Sequence, residues 1–292
     1  MSLYNRGKTK LKIHLNSQFP YFMTKYYYKK LLKRSLNINN PIFFNEKVNW
    51  LKFNYLPNNE LAIKCADKYL VRDYLLQKGM GEYLNNLIDV WDNVNEINWD
   101  QLPNKFAIKC NHGAGMNIIC TDKSNLSEKK VLEQLAEWME IDYGKTHIQP
   151  HYSKIERKII CESFIDNLED TNKLPIDYKI HCFHGIPKLI TCYSDRENRM
   201  TANFYDSNWN IMDIATKPSD YIEKPLFIDE MLNIAKVLSE DFPYVRVDFY
   251  EQNNNVIFGE LTFTPANGMS DYMTEEGDLL MGEYLDLSSY MN

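Results

Sequence analysis

The sequence predicts an α/β protein of the mixed α+β kind, and three observations lead there. Short apolar runs come in pairs around turn-forming residues at 104–120, 177–192 and 246–268, which is the mark of β-hairpins. Residues 126–143 and 227–240 carry their apolar side chains at helical spacing instead. No internal repeat or low-complexity tract interrupts the alternation, so solenoids and arrays are excluded. A chain of 292 residues, 44% hydrophobic and 25% charged, can bury a sizeable core and has the composition of an ordinary water-soluble protein.

Several function classes fall away on composition. No run approaches the roughly 20 apolar residues needed to span a bilayer. The N-terminus is basic but lacks the apolar block of a signal peptide, so the expected location is cytoplasmic. Six cysteines include no C-x-x-C pair and sit in apolar, strand-like surroundings, which suits small buried hydrophobes in a reducing compartment. The histidines show no zinc-binding spacing.

Charge is divided unevenly. Residues 1–45 hold nine Lys and Arg and no acid, which against a total of −7 leaves −16 on the remainder. Lys25, Lys29, Lys30, Lys33 and Arg34 are mixed there with Tyr26, Tyr27, Tyr28, Leu31 and Leu32. Such a segment suits an anionic membrane face, a solvated helix surface or a docking arm for a partner protein. Nucleic acid is not expected, because the acidic body would repel phosphates.

Taken in order, Asn45 is positioned to cap a helix running to about Tyr55, with Val48, Leu51 and Trp50 on its buried side and Pro57-Asn58-Asn59 ending it. A second helix is expected from Glu60 to Lys78, stopped by Gly79. Within it, Asp67, Lys68 and Arg72 read as surface charge pairing. Between the strand-like runs of 104–120, His112-Gly113-Ala114-Gly115-Met116-Asn117 forms a turn. Its two glycines let backbone N–H groups face an anion, and Lys109 feeds into it. A plain glycine hairpin is the other reading, since neither the Walker pattern nor G-x-G-x-x-G is present. Ser127, Leu132, Leu135 and Met139 mark a helix over 126–143. Residues 158–165 form a strand interrupted by Glu162, and His184-Gly185 turns a hairpin with Lys179 on its first arm. The polar stretch holding Asp195, Arg196, Arg199 and Asn203 is suited to a substrate.

The richest segment is 246–268, RVDFYEQNNNVIFGELTFTPANG. It reads as a hairpin whose polar loop is Glu251 to Asn255, with Asp248 on the first strand and Glu260 at the end of the second. Two carboxylates among residues that favour burial need a partner. A hard divalent cation would meet that need, with Thr262 as a neutral oxygen and Arg246 holding a nearby anion. A cross-strand ion-pair cluster of Arg246, Asp248 and Glu260 would meet it equally.

The ordered motifs FNEKVNWLK, ADKYLVRDYL, FAIKCNHGAG, DYKIHCFHGIPKLI, NFYDSNWN and VRVDFY with FGELTFTPANG resemble the TupA-like ATP-grasp family of bacterial surface-polysaccharide gene clusters, over about 40–285. The resemblance implies an ATP-grasp fold in which two α+β subdomains clasp ATP, with a reduced N-terminal region, because the chain before Asp67 is too short for the complete N-terminal domain of better-known ligases. The expected division is a basic segment at 1–44, a helical part at 45–103, a central lid subdomain at 104–165 and a metal-bearing subdomain at 166–292. ATP and Mg²⁺ are the implied cofactors. Lys68 and Lys109 match phosphate-binding lysines, and His112, Gly113, Ala114, Gly115 and Met116 the phosphate loop. Glu162 and Phe164 fall where adenine and ribose bind, and Asp177 and Lys179 face the nucleotide. Asp248, Glu260 and Thr262 fall on the magnesium positions. Arg246 matches the arginine that stabilises the acyl oxyanion, with Lys109 as the second catalytic position. Arg196, Arg199, Asn203, Asn267 and Gly268 are candidates for the substrate.

The sequence departs from the pattern in two places, with Thr262 where many members carry Asn and HGAGM in place of an HDSGG-like loop. The implied activity is ATP-dependent ligation of an amine to a uronic-acid type of carboxyl through an acyl phosphate, on a sugar or glycan intermediate. A glycosyltransferase of the same pathway and a non-catalytic binding protein are the alternatives. The former would call for a D-x-D motif, which the sequence lacks.

Overall fold

The structure is a computed structural model and describes residues 3–165, 176–194 and 201–291. Helices α1 (Leu3–Gln18) and α2 (Pro20–Leu32) open the chain, followed by α3 (Phe44–Asn54), α4 (Glu60–Ala66) and α5 (Val71–Gln77). The N-terminal helices are fixed to the body. Asn16 Nδ2 donates to the Thr146 carbonyl at 2.7 Å, Tyr28 is fully buried, and Arg34 pairs with Asp278.

Two local expectations are corrected here. The helix expected over 60–78 is broken at Asp67, whose Oδ1 accepts from the backbone N–H of Tyr69 at 2.7 Å and of Leu70 at 3.2 Å. An aspartate that caps the next turn competes with continuing the helix, so α4 ends and α5 begins around it. Asn45 does not cap α3 but lies inside it, exchanging side-chain hydrogen bonds with the Ser270 backbone at 2.8 and 3.1 Å.

Four strands, β1 (Leu87–Trp91), β2 (Phe106–Cys110), β3 (Asn117–Cys120) and β4 (Ile159–Ser163), form one sheet in the order β1-β4-β2-β3. The amphipathic helix α6 (Glu128–Met139) buries Val131 and Leu135 and stops at Met139; the short α7 (Tyr143–His147) follows. A second sheet contains β5 (Asp177–Phe183), β6 (Ile186–Ser194), β7 (Thr201–Asp206), β8 (Ile211–Met212), β9 (Tyr244–Gln252) and β10 (Asn255–Thr262), ordered β10-β9-β5-β6-β7-β8. Both sheets are antiparallel throughout.

The turns follow from their residues. His184 and Gly185 both take positive φ between β5 and β6, and Asn253 and Asn254 do the same between β9 and β10, as two-residue hairpins require. The loop expected over 251–255 is therefore shorter, and the strands run up to that asparagine pair. Helix α8 (Ile228–Ser239) buries Ile228, Met231, Ile234, Ala235 and Leu238 and packs on β5, β6 and β9. The apolar face of the second sheet is thereby covered, and its other face is left to charged residues. Helix α9 (Glu275–Tyr284) closes the fold against α3. All six cysteines are buried and free, as expected. Among the described residues no helix is long and apolar enough to cross a membrane.

Candidate active site

Register places the acidic side of the site. On β9, Asp248 stands opposite Lys179 of β5 and Glu260 of β10, while Arg246 stands opposite His181 and Thr262. Residues directly opposite in an antiparallel ladder share a face, so Lys179, Asp248 and Glu260 form one row. That row depends on a bulge. Phe258 pairs with Phe249, but after Gly259 the register shifts and Glu260 pairs with Asp248. Had the register of Phe258 and Phe249 simply continued, Glu260 would stand opposite Val247, on the apolar face. Gly259 also permits a close approach, since a Cβ there would lie 3.0 Å from the Tyr250 ring and 3.1 Å from the Asp248 carbonyl.

Arg246 grips Asp248 through Nε and Nη2, both at 2.6 Å, and Lys179 donates to the same carboxylate at 2.7 Å. Burial pushes Asp248 toward its neutral form, and Arg246 and then Lys179 pull it back. The three short charge-assisted bonds are those of an ionised carboxylate. Thr262 donates its hydroxyl to Glu260 at 2.9 Å and accepts from Arg246 at 3.0 Å. The Glu260 side chain is 35% exposed and reaches within 3.6 Å of Lys68. Burial would raise its pKa, but Lys68, Arg246 and Lys179 outweigh burial and hold it at about 2.

The opposite wall is built on the first sheet. Asn111 Nδ2 donates to Asp67 Oδ1 at 2.9 Å, and the Asn111 carbonyl accepts from the Lys68 N–H at 3.3 Å. This ties the turn bearing Lys68 to the glycine loop, where Lys68 Nζ donates to the Gly113 carbonyl at 2.7 Å. Lys109 on β2 pairs with Glu162 on β4 at 2.6 Å, and Arg72 approaches the same carboxylate at 3.5 Å. Arg72 and Lys68, read from sequence as surface charges, thus belong to the site. The two glycines differ. Gly115 has φ +73° with open space around it, whereas a Cβ on Gly113 would strike the Tyr143 ring at 2.5 Å.

Lys68, Lys109, Ala114, Gly115, Glu162, Asp177, Lys179, Asp248 and Glu260 line one cleft. Met116 and Asn117 of the glycine turn also line it, and Asn85, Ile165, Tyr250, Phe258 and Gly259 complete it without having been singled out by sequence. Gly259 carried a signal, an isolated glycine inside a strand pattern; the others are chemically ordinary.

Other expected residues are placed differently. His112 is 1% exposed, and burial, with Arg157 next, keeps its ring below the usual histidine pKa. Phe164 lies beneath the Lys105 ammonium, 5.6 Å from the ring centre, while its neighbour Ile165 faces the cleft. Asn203 pairs with Cys192, which pairs with Tyr178, so it sits on the face opposite Lys179. Its amide donates to the carbonyls of Ser219 and Asp220, a structural task. Asn267 and Gly268 belong to a turn with positive φ at Ala266, Asn267 and Gly268. Lys52 donates to the Asn267 carbonyl at 3.2 Å and side-chain oxygen at 3.0 Å, and a Cβ on Gly268 would lie 2.7 Å from Asn49. Both are engaged in holding α3. Thr262 stands beside Glu260 and opposite Arg246, as expected, with its hydroxyl bonded to both. Arg196 and Arg199 lie outside the described residues.

Magnesium is commonly held by one or two carboxylates together with substrate phosphates. Asp248 and Glu260, adjacent across β9 and β10, fit that donor set. Among the described residues no group of three His, Cys, Asp or Glu is arranged to hold a metal ion.

The model of the TupA-like ATPgrasp family matches residues 46–286. No curated protein matches the sequence. Among solved structures, D-alanine–D-alanine ligase from Bacillus anthracis complexed with ATP is 14% identical with a TM-score of 0.45, covering 78% of this chain and 66% of that one. D-alanine–D-alanine ligase from Helicobacter pylori is 15% identical with a TM-score of 0.44, covering 85% and 67%. The ATP-grasp ligase PsnB complexed with minimal precursor, Mg and ADP is 12% identical with a TM-score of 0.36, covering 73% and 57%. The chain spans about two thirds of the length of these D-alanine–D-alanine ligases. With two α+β sheets facing one cleft and a family match over most of its length, the chain has the ATP-grasp fold and belongs to the TupA-like ATP-grasp family.

Proposed function

We propose that the protein is an ATP- and magnesium-dependent ligase that joins a carboxylate to an amine. The observation that carries this reading is the single cleft in which Lys68, Lys109 and the glycine loop face Asp248, Glu260 and Lys179. Cations and a glycine loop on one wall suit phosphates, and paired carboxylates on the other suit the ion that accompanies them. Membership in the ATP-grasp family supports the nucleotide, as do the ATP in the Bacillus anthracis complex and the Mg and ADP in the PsnB complex.

In this reading Lys68 and Lys109 neutralise phosphate charge and release Glu260 and Glu162 as they turn to it. Magnesium, held by Asp248 and Glu260, would supply charge neutralisation across the phosphate oxygens. Arg246, fixed by Asp248 and Thr262, presents a rigid cation for the oxyanion that forms when an amine attacks the activated acyl group. The loop around Gly115 covers the cleft and excludes water from the acyl phosphate. A uronic-acid type of carboxyl on a surface-glycan intermediate is the acceptor that the family resemblance favours. Dependence on ATP places the reaction in the cytoplasm.

A thermal-shift titration checks the nucleotide. Mg-ATP is expected to raise the melting temperature far more than UDP-sugars do, and release of ADP and phosphate is expected only with an acid and an amine present. A larger shift with UDP-sugars would replace this reading with a glycosyltransferase.

A further inference from the structure

Seven of the 19 large apolar side chains that are exposed among the described residues fall between Leu11 and Leu31. The strongest concentration is on α2. Its inner side is fixed by burial of Met23, Thr24 and Tyr28, so the outer side points in a set direction. At helical spacing that outer side carries Phe22, 69% exposed, and Tyr26, 51% exposed. Phe19, 57% exposed, continues the stripe at the helix start. Lys25, Lys29 and Lys30, all exposed, flank the rings. A solvent-facing stripe of large rings whose charged neighbours on the helix are all cations is not what a freely dissolved surface favours.

We propose that the outer face of α2 docks on an anionic lipid surface. Rings at the level of the headgroups with lysines extending from beside them is the arrangement of an interfacial helix lying in the membrane plane. Charge complementarity selects lipid of negative charge. The first 45 residues contain no acid, and the −16 carried by the remainder orients the molecule with this face toward the membrane and the acidic body away. The site is separate from the cleft, since none of these residues lines it. It would hold the enzyme where a membrane-borne acceptor is presented.

The test is co-sedimentation of the full-length protein with phosphatidylcholine vesicles, with and without phosphatidylglycerol. Uptake is expected only on the anionic vesicles and is expected to be lost in high salt. Lys25→Gln/Lys29→Gln/Lys30→Gln should reduce partitioning about a hundredfold, and Phe22→Ser/Tyr26→Ser should weaken it on the same vesicles. Both variants are expected to keep the Mg-ATP thermal shift, so failure here is distinguishable from failure of the ligase reading. Equal uptake on neutral vesicles, unchanged uptake in the lysine variant, or capture of an acidic protein without vesicle uptake would overturn the proposal.

Discussion

The two walls of the cleft solve the problem of holding charge in different ways. On the second sheet, Arg246, Asp248, Lys179 and Glu260 are locked by register, by the bulge at Gly259 and by hydrogen bonds of 2.6 to 3.0 Å. On the first, Lys109 meets Glu162 and Lys68 meets the Gly113 carbonyl, beside a loop whose Gly115 has open space around it. One wall is pre-organised, and the other is made of long flexible side chains and a glycine turn. The difference fits a site in which rigid groups set the geometry of charge and mobile groups close over a phosphate.

The largest effect should come from the rigid wall. Asp248→Asn leaves Arg246 and Lys179 buried without their shared carboxylate, so it should cost about 3–5 kcal/mol and lower ADP formation by roughly 10² to 10³. Glu260→Gln should lower ADP formation comparably while costing only about 1 kcal/mol, because the Glu260 side chain is a third exposed. Turnover and urea unfolding on the same preparations separate the two roles. Near-normal turnover in both variants would reduce the wall to an ion-pair cluster and remove the ligase reading.

The same contrast explains what could be read from the sequence. The hairpin bearing Asp248 and Glu260 was legible because carboxylates inside alternating apolar strands demand a partner. Lys109 stood out because a lysine fed a glycine turn. Lys68 and Arg72 were not legible from the residues alone, since their helical spacing resembled surface pairing. Asp67 breaks that helix by capping the next turn, and the tertiary bonds from Asn111 to Asp67 and Lys68 hold Lys68 toward the loop. Asn203 was misplaced because a polar residue near a candidate site carries no sign of its face until strand register is known. The bulge that brings Glu260 opposite Asp248 rests on one glycine, which the alternating pattern alone does not locate.

The mobile wall can be tested through its two glycines. Gly113→Ala should cost about 1–3 kcal/mol by overpacking, since the new methyl meets Tyr143 at 2.5 Å. Gly115→Ala meets nothing within 4 Å but must hold φ +73°, at a cost of about 1 kcal/mol. Replacing Tyr143 with Leu in the Gly113→Ala background should restore part of the first loss and leave the second unchanged. Equal costs at both positions, unaffected by Tyr143, would show that the loop is not braced from beneath.

The smallest effect is in the pH dependence of stability, and it belongs to the rigid wall. Lys68, Arg246 and Lys179 overcome burial to hold Glu260 at about 2, below the ordinary 4.5. A carboxyl whose folded pKa is depressed contributes stability that is complete above the unfolded pKa. As pH falls from about 4.5 toward 2 the unfolded chain takes up the proton first, and that contribution is lost. Urea unfolding of the wild type and of Glu260→Gln should therefore differ by about 1 kcal/mol above pH 5 and converge as pH approaches 2. Subtracting the two curves removes the other carboxylates they share. Gly113→Ala should lower stability by the same amount across the range, because the substitution itself adds and removes no charge. A Glu260→Gln curve that stays parallel to the wild type at every pH would mean that the cations on the rigid wall do not hold this carboxylate.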